Sequence, residues 1–175
     1  MRGSWTRATD ATSPNNTKMA TPDKVSLPTP NGPLAHPDDY VDIPFSATAN
    51  IPYTIWMRMK PAAIRSSTIH CGLQFSNAQA ERLGDLSGCS RRRRCSSTSR
   101  PTAARASVQN WGWQNDAYWL TQPTRITFPS GGGDDASSAG EEDGVEWDQI
   151  VLSPRRYLSS APGPVSNDST IVPRP

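Results

Sequence analysis

Short segments that alternate between apolar and polar residues lie between longer stretches with very few apolar residues, and this pattern constrains the fold more than any other feature. The clearest segment runs from residue 53 to residue 60. Its apolar face carries Tyr53, Ile55, Met57 and Met59, and its other face carries Thr54, Trp56, Arg58 and Lys60. Strict alternation of this kind is typical of a half-buried antiparallel strand.

Other segments repeat the strand pattern. Val41, Ile43 and Phe45 share one face of a strand over 40–45, and Pro44 indicates an edge strand or a bulge. Residues 49–52 read as a turn. Further strands are predicted at 73–76, 125–128 and 145–152, the last of them ended by Ser153-Pro154. No segment has the period of a long amphipathic helix, so the sequence predicts an all-β sandwich that lacks about three of its expected strands.

The remaining stretches do not read as strands. Residues 1–36 are rich in Thr, Pro, Asn and Ser and are predicted to be a disordered leader, and residues 160–175 a Pro-rich tail. Leu, Ile, Val and Phe together make up less than a fifth of the chain, a level typical of disorder when the net charge is also high. The net charge is only +2, so the composition fits both a small core and a partly unfolded chain.

Three patches carry a resemblance. They are Tyr53-Thr-Ile-Trp-Met-Arg-Met-Lys60, Trp111-Gly-Trp-Gln-Asn-Asp116 and Glu142-Asp-Gly-Val-Glu-Trp-Asp-Gln-Ile-Val-Leu-Ser-Pro154. They resemble the jelly-roll carbohydrate-binding modules of families 6 and 35, which are galactose-binding-like sandwiches appended to secreted bacterial proteins. The resemblance implies a non-catalytic, carbohydrate-binding β-sandwich jelly roll over 37–159, incomplete, with disordered termini and disordered middle segments.

The chain departs from the family pattern in three segments, residues 62–72, 80–107 and 131–141. Each can be encoded by DNA that gives a strand-like sequence when its triplets are regrouped by one base. For residues 134–141, reading one base later gives T-T-L-R-V-Q-A-R. Our hypothesis is that the chain is a frame-disturbed copy of such a module. All three cysteines, Cys71, Cys89 and Cys95, lie in or beside these segments, so we expect no disulfide or metal role for them.

The densest aromatic segment is the candidate ligand site. Sugar faces carry C–H groups that stack on aromatic rings, and amides or carboxylates bind the hydroxyl groups. The candidate ligand-binding residues are Trp111, Trp113, Gln114, Asn115, Asp116, Tyr118 and Trp119. Core packing is the alternative for at least two of the tryptophans, above all for Trp113.

A structural calcium ion is the one cofactor that the resemblance raises, with Asp148 as its ligand, because loop oxygens suit that ion. The alternative is an outward-facing surface carboxylate, since Trp147 and Gln149 should point to the opposite face. No nucleophile motif and no phosphate-binding loop occurs, so no enzymatic activity is expected.

The expected partner is a glycan or another small extracellular ligand. Arg91–Arg94 lacks interleaved aromatics, so nucleic-acid binding is not expected, and the longest apolar runs are too short for a membrane helix. The resemblance places the parent protein outside the cell or in its envelope, although Met1–Trp5 does not begin an export signal. Two alternatives remain open: a non-functional, partly disordered frameshift product, and an adhesive β-sandwich without sugar affinity.

Overall fold

The computed structural model describes residues 1–22, 39–62, 71–75, 78–80, 110–115, 125–130, 132–140 and 144–163. Apart from one 3-10 turn at Pro14–Asn16, the regular elements of these residues are strands. They are β1 (Thr6–Thr9), β2 (Thr17–Ala20), β3 (Tyr40–Ala47), β4 (Pro52–Pro61), β5 (Cys71–Phe75), β6 (Gln79–Ala80), β7 (Gly112–Gln114), β8 (Arg125–Thr127), β9 (Gly132–Gly140) and β10 (Val145–Ser153). The prediction of an all-β chain is therefore confirmed for the described residues.

The strands form two antiparallel sheets. The larger sheet has the order β1-β2-β10-β4-β8-β6, and β7 also pairs with β4. β4 therefore has β10 along one side and two short strands along the other, β8 beside Pro52–Thr54 and β7 beside Met57–Met59. The smaller sheet has the order β3-β9-β5.

The strand over residues 53–60 is confirmed as β4, and its apolar face lies in the core. Ile55, Met57 and Met59 are fully buried, in one hydrophobic cluster with residues of both sheets. The opposite face is more buried than we expect for a half-buried strand. Trp56 is also buried there, because the chain after β10 crosses it and the Trp56 indole donates to the carbonyl oxygen of Tyr157 at 2.8 Å.

Aromatic side chains join the two sheets. The ring of Phe128, which follows β8, lies 5.3 Å from Phe45 of β3 and 5.8 Å from Tyr53 of β4, both edge to face. Edge-to-face ring pairs are a favoured arrangement in protein cores. β3 alternates as predicted: Val41, Ile43 and Phe45 pack on the core, while Pro44 is exposed. β3 pairs with β9 alone among the described strands, which suits a proline on an edge.

The prediction of a disordered leader over 1–36 is wrong for residues 1–22. β1 and β2 form a hairpin, and β2 pairs with β10 at the edge of the larger sheet. Trp5 is 3% exposed and packs edge to face on Trp147 of β10 at 6.0 Å. β1 is almost entirely exposed and β2 buries only Met19, so neither strand shows an apolar face in the sequence. Residues 23–36 lie outside the described residues.

The sequence as written also predicts that residues 131–141 form no strand, and this prediction is wrong. β9 is the middle strand of the smaller sheet and pairs with β3 over eight residues and with β5 over five. The backbone forms both ladders even though the strand reads Gly-Gly-Asp-Asp-Ala-Ser-Ser-Ala-Gly. The other two segments of the frame hypothesis, 62–72 and 80–107, lie outside the described residues except at their ends.

The strand predicted over 145–152 is confirmed as β10, and it ends at Ser153 before Pro154 as expected. Its pairing with β4 is interrupted by a bulge, because Trp147 opposes Met59 whereas Gln149 opposes Arg58. Asp148 is thus an extra residue without a partner position on β4. A bulge of this kind changes the direction of a side chain relative to regular alternation.

Candidate ligand-binding face

The face of β4 that carries Trp56, Arg58 and Lys60, opposite the core, is called the outer face below. β7 brings the predicted aromatic residues to it. Trp113 stands opposite Arg58 in the antiparallel register, and opposite residues share a face. Trp111 lies two residues earlier and therefore falls on the same side. Both side chains are half-buried, so they are neither fully buried, as core packing would require, nor freely exposed.

Each of these indoles is held by a distant part of the chain. The Trp111 Nε1–H donates to the hydroxyl oxygen of Thr12 at 2.8 Å, and the Trp113 Nε1–H donates to the carbonyl oxygen of Gly163 at 2.8 Å. A ring with two χ angles and a fixed N–H has little rotamer freedom left to lose on binding. The two tryptophans are therefore pre-oriented.

Two cations lie against the Trp111 ring. The Lys60 ammonium is 4.3 Å from the ring centroid, and the Arg58 guanidinium carbon is 4.8 Å from it. Cations within about 6 Å of an indole face are attracted by its quadrupole. Because strand alternation puts Arg58 and Lys60 on the same side of β4, the ring covers both.

The same cations belong to a network of charges. Lys60 pairs with Asp10 at 2.5 Å, and Lys18 of β2 pairs with Glu146 of β10 at 2.6 Å. The two pairs are cross-linked, because Lys18 also reaches Asp10 at 3.5 Å and Lys60 reaches Glu146 at 3.4 Å. The hydrogen bond from Lys60 holds the pKa of Asp10 far below its usual value. Burial alone would lower the pKa of Lys18, but the hydrogen bond to Glu146 and the nearby carboxylates raise it.

Asp148 sits under this network rather than at the surface. Its side chain has no exposed area, and its Oδ2 accepts from the Arg58 guanidinium at 2.6 Å. Desolvation raises the pKa of Asp148 to about 6, although the nearby Arg58 charge favours the ionised form. The interpretation of Asp148 as a surface carboxylate is therefore wrong, since the loop between β1 and β2 covers this residue.

The surroundings of Asp148 do not fit a calcium ion. Calcium takes about six to eight oxygen ligands, whereas the partner of Asp148 is a guanidinium. The described part of the chain contains no group of three or more His, Cys, Asp or Glu side chains that could hold a metal.

Of the predicted ligand-binding residues, the structure brings Trp111 and Trp113 together on the outer face. Gln114 stands opposite Met57, on the other side of β7, and Asn115 is half-buried at its end. Asp116, Tyr118 and Trp119 lie outside the described residues. Sequence reasoning missed Asp10 and Thr12, because nothing in the polar N-terminal sequence shows that it reaches β4.

Among the helices of the described residues, none is long and apolar enough to span a bilayer.

Comparison with known proteins gives no relative. Neither a protein-family model, nor a curated protein, nor a solved structure matches the chain. What is established is that the described residues form antiparallel strands, and that the outer face carries two tethered tryptophans beside a network of paired charges.

Proposed function

We propose that this chain is a non-catalytic ligand-binding module that binds a glycan through the outer face, with Trp111 and Trp113 as its stacking residues. The proposal includes the finer fold, a jelly-roll sandwich of the galactose-binding-like type, and a parent protein that works outside the cell or in its envelope. The observation that carries it is the pair of half-buried indoles on the outer face, each held by a hydrogen bond.

The geometry suits a sugar in two respects. Half-buried, pre-oriented aromatic rings offer stacking area without an ordering cost at the moment of binding. Polar groups also lie close by, since Thr12 bonds the Trp111 indole and Asn115 follows β7 directly. Neither nucleic acid nor a membrane is part of the proposal.

A role without catalysis is supported by the state of the charged groups. Asp10, Glu146 and Asp148 are each paired with a lysine or an arginine. A general acid or base has to reach a substrate proton, whereas these carboxylates are occupied by structural ion pairs.

The proposal is tested with a glycan array followed by calorimetric titration of the glycan that binds best. We expect Trp111→Ala and Trp113→Ala each to weaken binding at least tenfold while the far-UV circular dichroism stays unchanged. Leu158→Ala, a truncation of another partly exposed side chain after β10, is the matched control and should bind like the parent chain. A folded chain that binds no glycan, or one that binds equally well without both indoles, would overturn the proposal. The first of those results would favour the adhesive sandwich.

A second candidate, a frame-disturbed and non-functional product, is favoured by the register of β9. Ala136 stands opposite Ile43 and Phe75, and Ser138 stands opposite Val41 and Leu73, all of them core residues or residues packed against the core. The middle of a sheet normally carries β-branched or aromatic residues at such positions. Reading the proposed codons one base later gives Leu at position 136 and Val at position 138, which matches these neighbours.

Two measurements test this second candidate. The encoding DNA must carry the bases that regroup residues 134–141 into T-T-L-R-V-Q-A-R, and other codons would refute it. In the protein, Ala136→Leu with Ser138→Val should raise the melting temperature by several degrees, since burial of apolar area is stabilising. The matched control, Asp135→Leu with Ser137→Val, changes the alternate register positions and should not. Equal effects of the two double variants would contradict the frame hypothesis.

A further inference from the structure

We propose that Thr12 is a positioning residue for Trp111, so that the N-terminal hairpin (residues 6–20) sets the orientation of the indole on the outer face. The effect on ligand affinity rests on the proposed function. The structural coupling between the hairpin and β7 does not. The two segments are distant in sequence, since Thr12 and Trp111 lie 99 positions apart.

The coupling is a closed ring of four side chains. The Trp111 indole donates to the Thr12 hydroxyl at 2.8 Å, and that hydroxyl donates to Asp10 Oδ1 at 2.6 Å. The other oxygen of Asp10 binds Lys60 at 2.5 Å, and the Lys60 ammonium lies 4.3 Å from the centre of the Trp111 ring. Each member therefore contacts two others, and the ring joins the hairpin to both β4 and the start of β7.

The direction of these bonds follows from chemistry. A hydroxyl has one hydrogen to donate, and an ionised carboxylate only accepts. Because Lys60 keeps Asp10 ionised, the Thr12 hydrogen is directed at Asp10 and its lone pairs are left for the indole. An indole N–H can only donate, so the two groups fit in this one sense.

The loop holds Thr12 in place before it meets the indole. The Thr12 amide donates to Asp10 Oδ1 at 2.9 Å, and the Ser13 amide donates to the Asp10 carbonyl at 3.0 Å. Asn15 and Asn16 adopt left-handed backbone angles, with φ of 52° and 54°, which asparagine tolerates better than most residues. The position of the hydroxyl is thus set by the loop, not by the tryptophan.

β7 is too short to orient Trp111 without this support. It has three residues, and among the described strands it pairs with β4 alone, over Met57–Met59. Trp111 precedes β7, so its large side chain lies at the end of a short strand pairing. The hydrogen bond to the Thr12 hydroxyl fixes the indole orientation that this short pairing cannot fix by itself.

The experiment compares Thr12→Val, which keeps the shape and removes the hydroxyl, with Thr12→Ser, which keeps the hydroxyl. The readout is solvent exchange of the Trp111 indole N–H by NMR, with the backbone amide spectrum as the check on folding. We expect exchange to rise about three- to tenfold in Thr12→Val, the range of one net hydrogen bond, and to stay near the parent value in Thr12→Ser. Thr17→Val is the matched control, because its hydroxyl donates to Asn15 within the hairpin and does not contact the indole.

Indole exchange in Thr12→Val that equals the parent value would overturn the positioning role, whatever the chain binds. Glycan affinity is measured on the same variants and should fall together with the faster exchange. Faster exchange in a folded chain that binds no glycan would refute the proposed function while supporting the coupling. If Thr12→Val does not fold, Thr12→Ala takes its place as the variant without the hydroxyl, and indole exchange there at the parent value would overturn the positioning role.

Discussion

Asp148 makes the stability of this chain depend on pH in an unusual direction. Carboxylates in ion pairs generally stabilise a fold as the pH rises, because pairing lowers their pKa. Here burial dominates and raises the pKa of Asp148 from 3.8 to about 6. The folded chain therefore binds a proton at Asp148 more tightly than the unfolded chain does. This contribution is fully present below about pH 4 and is lost as the pH rises through 6.

The magnitude follows from the size of the shift. Each pKa unit corresponds to about 1.4 kcal/mol, so a rise of two units amounts to at most about 3 kcal/mol. The side chain has no exposed area, so solvent screening does little to reduce the effect. Asp148→Asn keeps the shape of the side chain and resembles the protonated form. Because asparagine does not titrate, the neighbour of Arg58 in this variant stays neutral at every pH.

The assay is urea unfolding of the parent chain and of Asp148→Asn at several pH values from 4 to 7.5. We expect the parent chain to lose up to about 3 kcal/mol relative to the variant across this range, mostly between pH 4 and 6. Carboxyl carbon shifts measured by NMR should place the Asp148 midpoint near 6. Parallel stability curves, or a parent chain that gains on the variant as the pH rises, would refute the reasoning.

Two further predictions concern the N-terminal residues. Gly3 has φ of +78°, and a Cβ there would lie 1.6 Å from Asp39 Oδ1, so Gly3→Ala should lower the free energy of unfolding by more than about 1 kcal/mol in urea titrations. The control is Gly163→Ala, which shares the positive φ but has open space around it, and equal losses would contradict the steric argument. Trp5→Ala should cost about 3–5 kcal/mol by the same assay, whereas an unchanged midpoint would show that Trp5 does not pack on Trp147.

The strands that could be predicted from the sequence are those with one clear apolar face. β3, β4 and β10 alternate because one side packs on the core, and short loops or prolines mark their ends. β1 and β2 could not be found in this way. Their pairing depends on backbone hydrogen bonds at a sheet edge and on two buried side chains, Trp5 before β1 and Met19 in β2. β9 was hidden for a different reason, since its small residues carry no strand signal although the backbone pairs on both sides.

The candidate site was predictable in its aromatic part only. The density of aromatic side chains made Trp111 and Trp113 candidate binding residues, and the register of β7 with β4 places both on the outer face. Their partners could not be inferred, because Thr12 and Gly163 are brought to them by tertiary folding. For Asp148 the sequence offered a calcium ligand or an exposed, outward-facing carboxylate, whereas the structure buries its side chain against Arg58.

The central claim is that the N-terminal hairpin is an integral part of the fold and holds the outer face in place. Native-state amide hydrogen exchange over the whole chain tests it most directly, because exchange reports which segments open together. The amides of β2 that pair with β1 and β10 should exchange within about tenfold of those in the centre of β4, as expected for one cooperative unit. Exchange of residues 6–20 at random-coil rates, with β4 still protected, would contradict the account.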